Sequence, residues 1–313
     1  MMGIDRDGLK VELSIILPVY EEEGSIETLV REIFRTLEDA GRQFEVVVID
    51  DGSGDRTMAI LQGLKDRFRE RLVVARHPAN RGNGAALRTG INIASGEIVI
   101  TMDADGQHAP ADILKLIERI PPNDLVIGAR MEGYAGSWYR NAANGFYNRF
   151  ASWLSRVEIK DLTSGFRAMR RQAVQHFLPL FPTGFSAPTT TTLAFIKAGY
   201  SVEFLPIHVR QRETGTSKIH LFEDGSRFVM IILRMIMLFD PMRIFLPTSV
   251  ALGILGLLTW VAGLWNAHRL VLPNSSILLF SSALITWLLG LLSDQISSSR
   301  IHYHGDEHVQ FME

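Results

Sequence analysis

Three acidic clusters in this chain of 313 residues combine residue types and spacings that can do chemistry. Pro18-Val19-Tyr20-Glu21 follows one short apolar run, Asp50-Asp51-Gly52-Ser53-Gly54-Asp55 a second, and Asp103-Ala104-Asp105-Gly106-Gln107-His108 a third. Asp103 and Asp105 are two apart, so in an extended segment both side chains project to one side and can address one hard cation. Gln107 and His108 are further donors. Mg2+ or Mn2+ held there would bridge diphosphate oxygens and neutralise charge on a departing nucleotide. Asp50 and Asp51 are adjacent like charges, which repel unless a positive or hydrogen-bonding group engages them; the N–H of a nucleobase is one such group. Asp55 has two readings, a ligand or a helix cap that accepts backbone N–H bonds.

Between these clusters lies Asn80-Arg81-Gly82-Asn83-Gly84-Ala85-Ala86-Leu87-Arg88, a glycine-rich helix start able to bring backbone amides close to an anion. A dinucleotide-binding dehydrogenase would carry such glycines after its first strand, where this chain has Tyr20 and three glutamates, so that class is excluded. The absence of cysteine removes disulfides, thiolate catalysis and cysteine-based zinc sites. A formal net charge of −2 gives no basic field for nucleic acid.

The elements that must position these clusters follow from periodicity. Leu13 to Pro18, Phe44 to Ile49, Leu72 to Ala75, Ile98 to Met102 and Leu125 to Ile127 are strand candidates, separated by amphipathic stretches. The first of these starts near Ser25 and repeats Ile26, Leu29, Val30, Ile33, Phe34 and Leu37 on one face. Strand and helix in alternation predict an α/β domain with a mostly parallel, Rossmann-like sheet. Ligands of such sheets collect beyond the carboxyl ends of the strands, where all three acidic clusters fall.

The end of the chain has a different character. No Asp, Glu, Lys, Arg or His occurs from Ile244 to Trp265 or from Leu270 to Ser293, and a bilayer core needs roughly 20 apolar residues. Only a few residues separate the runs, which predicts a transmembrane helical hairpin over 244–294, with helices at about 244–265 and 272–293. The catalytic domain is then expected over 1–219, an amphipathic interfacial helix over 220–243 and a tail over 295–313. Phe228, Ile231, Ile232, Met235 and Phe239 form the apolar stripe of that interfacial helix, with Arg227 and Arg234 sharing a face; a buried core helix is the other reading. No secretory leader precedes Leu13, and Arg227, Arg234, Arg243 and Arg300 outnumber Arg269 in the turn. Both features predict an integral protein of a plasma or inner membrane with its catalytic domain and tail cytosolic.

Taken in order, these motifs resemble family 2 glycosyltransferases of the GT-A fold. The resemblance rests on Pro-Val-Tyr-Glu, Asp-Asp-Gly-Ser-x-Asp-x-Thr from Asp50 to Thr57, Asn-Arg-Gly-x-Gly-Ala-Ala from Asn80, and Asp-Ala-Asp-x-Gln-His from Asp103. Ser164-Gly165-Phe166-Arg167 and Arg212-Glu213-Thr214-Gly215-Thr216-Ser217-Lys218 look like later motifs of the dolichol-phosphate mannose synthase and polyprenyl-phosphate glycosyltransferase group. The resemblance implies Pro18, Tyr20, Glu21 and Asp51 around base and ribose, and Asp103, Asp105 and Gln107 around metal and diphosphate. It also implies Arg212 and Lys218 on phosphates, and Arg130 and Arg140 on the acceptor phosphate. Asn83 departs from relatives that carry Lys there, leaving Arg81 and Arg88 as substitutes.

The implied reaction is transfer of a sugar from GDP-mannose or a UDP-hexose to a polyprenyl (dolichyl or undecaprenyl) phosphate. A phosphate monoester is largely ionised near neutral pH, so no strong general base is required, and His108, His208 and His220 are read as structural or peripheral. In-line displacement with inversion is expected. The alternatives are another lipid acceptor such as diacylglycerol, or a non-catalytic membrane scaffold. A homo-oligomer is left open.

Overall fold

The computed structural model describes residues 11–130, 148–153, 155–182, 187–210, 240–267 and 272–301, with single positions between them. The chain divides into two compact units, Met1–Ile231 and Ile232–Glu313.

The first unit is built on a seven-stranded sheet. In chain order its described elements are β1 (Leu13–Val19), α1 (Ile26–Asp39), β2 (Phe44–Asp50), α2 (Thr57–Phe68), β3 (Leu72–Arg76), α3 (Asn83–Ile93), β4 (Ile98–Thr101), α4 (Asp112–Ile117), β5 (Leu125–Arg130), β6 (Arg167–Arg170), α5 (Arg171–Phe177), α6 (Ala187–Lys197) and β7 (Val202–Ile207). The sheet order is β3-β2-β1-β4-β6-β5-β7. Strands β1, β2, β3 and β4 are mutually parallel, β6 runs antiparallel to both β4 and β5, and β7 is parallel to β5.

Burial follows position in the sheet. All seven residues of β2 are buried, as expected of a strand covered on both faces, whereas edge strands β3 and β7 are largely half-exposed. Helix α1 buries Ile26, Leu29, Val30, Ile33, Phe34 and Leu37 on one stripe, the face its sequence predicts. Phe34 meets the Phe44 ring edge-on at 5.1 Å and stacks on Phe68 at 3.8 Å, tying α1 to the start of β2 and the end of α2. The five predicted strands are all present. The sheet is mixed rather than strictly alternating, because β6 returns against the others and separates β4 from β5.

The second unit contains α7 (Met242–Ala267) and α8 (Asn274–Ile301), which form a hairpin. Their candidate membrane spans, Met242–Trp265 and Asn274–Ser297, have mean hydropathies of 2.0 and 1.9. Only 11% and 17% of the most apolar windows is buried, where the core helix of a water-soluble protein would be mostly covered. A Cβ on Gly290 would lie 2.6 Å from the Phe245 side chain, so glycine permits this approach of the helices. Thr259 and Ser276 hydroxyls hydrogen-bond at 2.9 Å across the pair. The interfacial helix expected over 220–243 falls largely outside the described residues.

Candidate active site

Strands β2, β1 and β4 are neighbours, so the loops leaving their carboxyl ends converge. The β1 and β2 loops are stitched together by backbone N–H groups: Glu21 donates to Ser53 Oγ (2.9 Å), Glu22 to Thr57 Oγ1 (3.0 Å) and Glu23 to Asp55 Oδ2 (3.3 Å). Asp55 also accepts the Thr57 N–H at 3.0 Å, so from the position before the N-cap residue Arg56 it satisfies the first amide of α2. Val19 accepts the Asp51 N–H at 2.8 Å. Pro18, Tyr20, Glu21 and Asp51 are thereby brought to one place on the rim. Glu21 is held there at φ 57°, a conformation uncommon for a residue with a side chain.

The adjacent carboxylates Asp50 and Asp51 find partners within the chain. Asp50 lies 3.1 Å from Arg76 Nε and accepts the Ser53 N–H at 3.0 Å. Asp51, 3% exposed, pairs with His77 Nδ1 at 2.6 Å and accepts the Gly82 N–H at 2.7 Å. The Arg81 N–H bifurcates between its two oxygens at 3.0 and 3.1 Å. His77 Nε2 in turn meets Thr89 Oγ1 at 2.9 Å. The glycine-rich loop is therefore shaped by Asp51, and its Arg81 and Gly82 amides already serve that carboxylate rather than an external anion. Each Asp51 oxygen thus accepts two contacts, His77 and Arg81 on Oδ1 and Arg81 and Gly82 on Oδ2. Gly52, at φ 79°, is required beneath the loop: a Cβ there would sit 2.7 Å from the Ala79 carbonyl carbon. Of the cationic substitutes for Asn83, Arg81 has an exposed side chain, and Arg88 donates to the Phe181 carbonyl.

The third cluster follows β4. The chain turns at residues 104 and 105 instead of continuing extended, with the Gln107 N–H donating to Asp105 Oδ1 at 3.2 Å and Gly106 at φ 74°. Asp103 and Asp105 are both half-buried in this turn. Ala104 O accepts from Ser25 Oγ (2.8 Å) and Gln107 O from the Arg210 N–H (2.9 Å), fixing the turn on both sides. His108 is buried against the Phe166 ring at 5.0 Å; burial lowers its pKa to about 4 despite the attraction of Asp105, so it is neutral near pH 7.

Among the described residues no three or more His, Cys, Asp or Glu side chains gather into a cation cage. A pair of carboxylates with a neighbouring carboxamide, Gln107, instead fits Mg2+ or Mn2+, which bind through one or two carboxylates and draw remaining ligands from substrate phosphates. Gly165 supports this fit, since a Cβ at that position would lie 2.5 Å from Asp103 Oδ2.

A second charged group occupies the same rim at the end of β5. Arg130 donates from Nε to Asp161 Oδ2 (2.8 Å) and from Nη2 to Asp161 Oδ1 (2.9 Å) and Thr163 Oγ1 (2.6 Å). Burial opposes ionisation of Asp161, but Arg130 outweighs it and holds the carboxyl below its usual range. Behind them Arg167, fully buried, donates to the Ser164, Pro188 and Leu162 carbonyls and to Thr192 Oγ1. Burial lowers the Arg167 pKa to about 9, against the attraction of Asp161 and Asp103, which leaves it cationic near pH 7. Asp161, Thr163 and His77 carry no sequence signal of these roles, because their partners are distant in the chain. Arg140, Arg212 and Lys218 lie outside the described residues.

A sequence profile described as glycosyl transferase family 2 matches residues 14–178, more than half of the chain. The chain belongs to this family. A second profile, described as the GtrB C-terminal hairpin, matches residues 240–299, which contain α7 and most of α8. An undecaprenyl-phosphate 4-deoxy-4-formamido-L-arabinose transferase from Edwardsiella ictaluri is 30% identical over 211 residues, 67% of this glycosyltransferase and 64% of the relative. The chain thus spans somewhat under two thirds of that relative's length. Among solved structures, glucosyl-3-phosphoglycerate synthase from Mycobacterium tuberculosis in complex with Mn2+, UDP and phosphoglyceric acid superposes with a TM-score of 0.56 at 20% identity, covering 72% of this chain and 78% of that one. The same enzyme with Mn2+ and UDP-glucose gives 0.55 at 22% identity over the same shares. This similarity shows the GT-A fold. The chain accordingly combines a glycosyl transferase family 2 domain of GT-A fold with a C-terminal hairpin of two helices long and apolar enough to cross a membrane.

Proposed function

We propose that this glycosyltransferase moves a hexosyl group from a nucleotide-sugar to a polyprenyl phosphate at the cytosolic face of a membrane. The observation that carries the reading is the pairing of the Asp103–Asp105 turn with the Arg130 cluster on one sheet rim, in a chain that continues into an apolar hairpin. The relative from Edwardsiella ictaluri supports the acceptor class, and the Mn2+ and UDP complexes of the solved neighbour support metal and donor.

In this reading Pro18, Tyr20, Glu21 and Asp51 receive base and ribose, with Arg81, Arg212 and Lys218 on donor phosphates and Arg130 and Arg140 on the acceptor phosphate. Asp103, Asp105 and Gln107 would hold Mg2+ or Mn2+, which when bound neutralises charge on the diphosphate. The acceptor phosphate is ionised near neutral pH, so its oxygen attacks the anomeric carbon without a protein base. The bond from that carbon to the diphosphate oxygen breaks, its electrons leave with the nucleotide, and the configuration inverts. Neutral, buried His108 stays outside this proton balance.

The test is a panel of UDP- and GDP-linked sugars assayed with Mg2+ or Mn2+ and either polyprenyl phosphate or diacylglycerol. The expected product is a polyprenyl-phosphate sugar of inverted configuration, formed only with metal. Transfer to diacylglycerol alone, or nucleotide-sugar binding without transfer under any combination, would overturn it.

A further inference from the structure

The segment 161–167 lies between the two halves of the site. Asp161 clamps Arg130 at one end, and Gly165 abuts the Asp103 carboxylate near the other. We propose that Asp161 is a positioning residue for acceptor binding, fixing the plane and reach of the Arg130 guanidinium so that it meets a phosphate already oriented. This rests on the assignment of Arg130 to the acceptor phosphate.

The two oxygens of Asp161 divide their work. Among the described residues Oδ2 accepts from Arg130 alone, at 3.2 Å from its backbone N–H and 2.8 Å from Nε. Oδ1 accepts from Arg130 Nη2 but also builds the loop, taking the Thr163 and Ser164 N–H groups at 3.1 Å each. Thr163 Oγ1 takes a further Arg130 N–H, so both Nε and Nη2 are fixed and the guanidinium plane cannot turn. Asp161 is 7% exposed in its side chain and Arg130 32%, so the anchor is buried while the cation reaches the surface of the rim.

A carboxylate on Arg130 would by itself cancel the charge meant for a phosphate. Arg167, buried behind the loop, offsets part of this, since its charge acts on Asp161 as well as on Asp103. Of the three charged groups, Arg130 is the cation on the rim side. A fork held rigid in this way loses less conformational freedom when it binds an anion than a mobile arginine would.

The experiment is steady-state kinetics of the full-length enzyme with polyprenyl phosphate and nucleotide-sugar varied separately. Asp161→Asn retains an oxygen for the Thr163 and Ser164 amides and removes the charge that orients Arg130. Its KM for polyprenyl phosphate is expected to rise about tenfold, with the KM for nucleotide-sugar within about twofold of wild type. In the Arg130→Ala background the same change should add nothing, because the two act as a unit. Thr163→Val, which spares the carboxylate, gives a smaller rise of about threefold in the same KM and serves if the first variant fails to fold. Equal changes in both KM values, a fall in kcat alone, or additivity with Arg130→Ala would overturn the proposal. Failure of the wild type to use polyprenyl phosphate is a separate result: it removes the proposed function. The split is then read with whichever phosphate-bearing lipid is used, and an acceptor without phosphate sinks the positioning role as well.

Discussion

The carboxylates on the rim have different tasks because their surroundings differ. Asp55 takes the first amide of a helix, Asp50 meets Arg76, and Asp51 shapes a loop. Asp103 and Asp105 lie in a turn beside a glycine. That neighbour offers a test at single-atom scale. A methyl group at Gly165 would enter within 2.5 Å of Asp103 Oδ2, so Gly165→Ala must displace the carboxylate or the loop. A misplacement of about 1 Å in a site of this kind costs on the order of 100-fold in rate. We therefore expect Gly165→Ala to lower kcat by that order and to weaken metal-dependent nucleotide binding, while the KM for the lipid acceptor changes little. Titrating nucleotide into the variant with and without Mn2+ checks it; unchanged metal dependence together with unchanged kcat removes Asp103 from the proposed metal site. The acids themselves were legible in the sequence, which left Asp55 between ligand and cap; its bond to the Thr57 amide is local, two residues away. The clamp on Arg130 was not, since Asp161 is 31 residues distant and nothing local distinguishes it from a loop aspartate.

At the scale of elements, legibility follows burial. Strands β1, β2 and β4 are runs of apolar, largely β-branched residues because both faces of the sheet are covered, and such runs stand out. Strand β6 does not, because its four residues include Arg167 and Arg170, and the first of these is a cation fully buried by carbonyl partners. Strand β7 is an edge containing Pro206, which weakens the pattern for the reason that proline is tolerated there. The unread strand β6 changes the site, since it brings the 161–167 loop to the rim where β4 and β5 end. Helix α1, by contrast, is specified by its stripe, and its buried face holds the sheet. Phe34 at 1% exposure is its largest buried side chain, stacked on Phe68 and edge-on to Phe44. Phe34→Ala is expected to destabilise the catalytic unit by about 3–5 kcal/mol. At low temperature, where the variant stays folded, both KM values should match wild type. A denaturation midpoint within error of wild type would refute the packing role, and altered KM values would refute its independence from the site.

At the scale of the molecule, two units of different surface character share one chain. The catalytic unit closes its own apolar core, whereas the hairpin leaves Leu258, Leu278, Ile254 and Ile285 about half or more exposed. Water and lipid predict opposite consequences for a charge at such positions. On a water-facing surface a substitution of Ile254 or Ile285 by arginine would fall within about 0.5 kcal/mol of neutral. At the centre of a membrane-spanning helix each arginine costs about 2.5–3.5 kcal/mol, and these residues lie near the middle of the spans Met242–Trp265 and Asn274–Ser297. The double variant Ile254→Arg, Ile285→Arg is therefore expected to lose membrane integration, measured as the fraction resisting alkaline extraction. Transfer to polyprenyl phosphate in vesicles should fall with it, because the acceptor is confined to the bilayer. Nucleotide-sugar binding should persist within about twofold, since the residues assigned to it belong to the other unit and its core is untouched. Full retention in the membrane would mean that the hairpin is not what holds the enzyme there. Loss of nucleotide binding in step with extraction would mean that the two units depend on each other for folding.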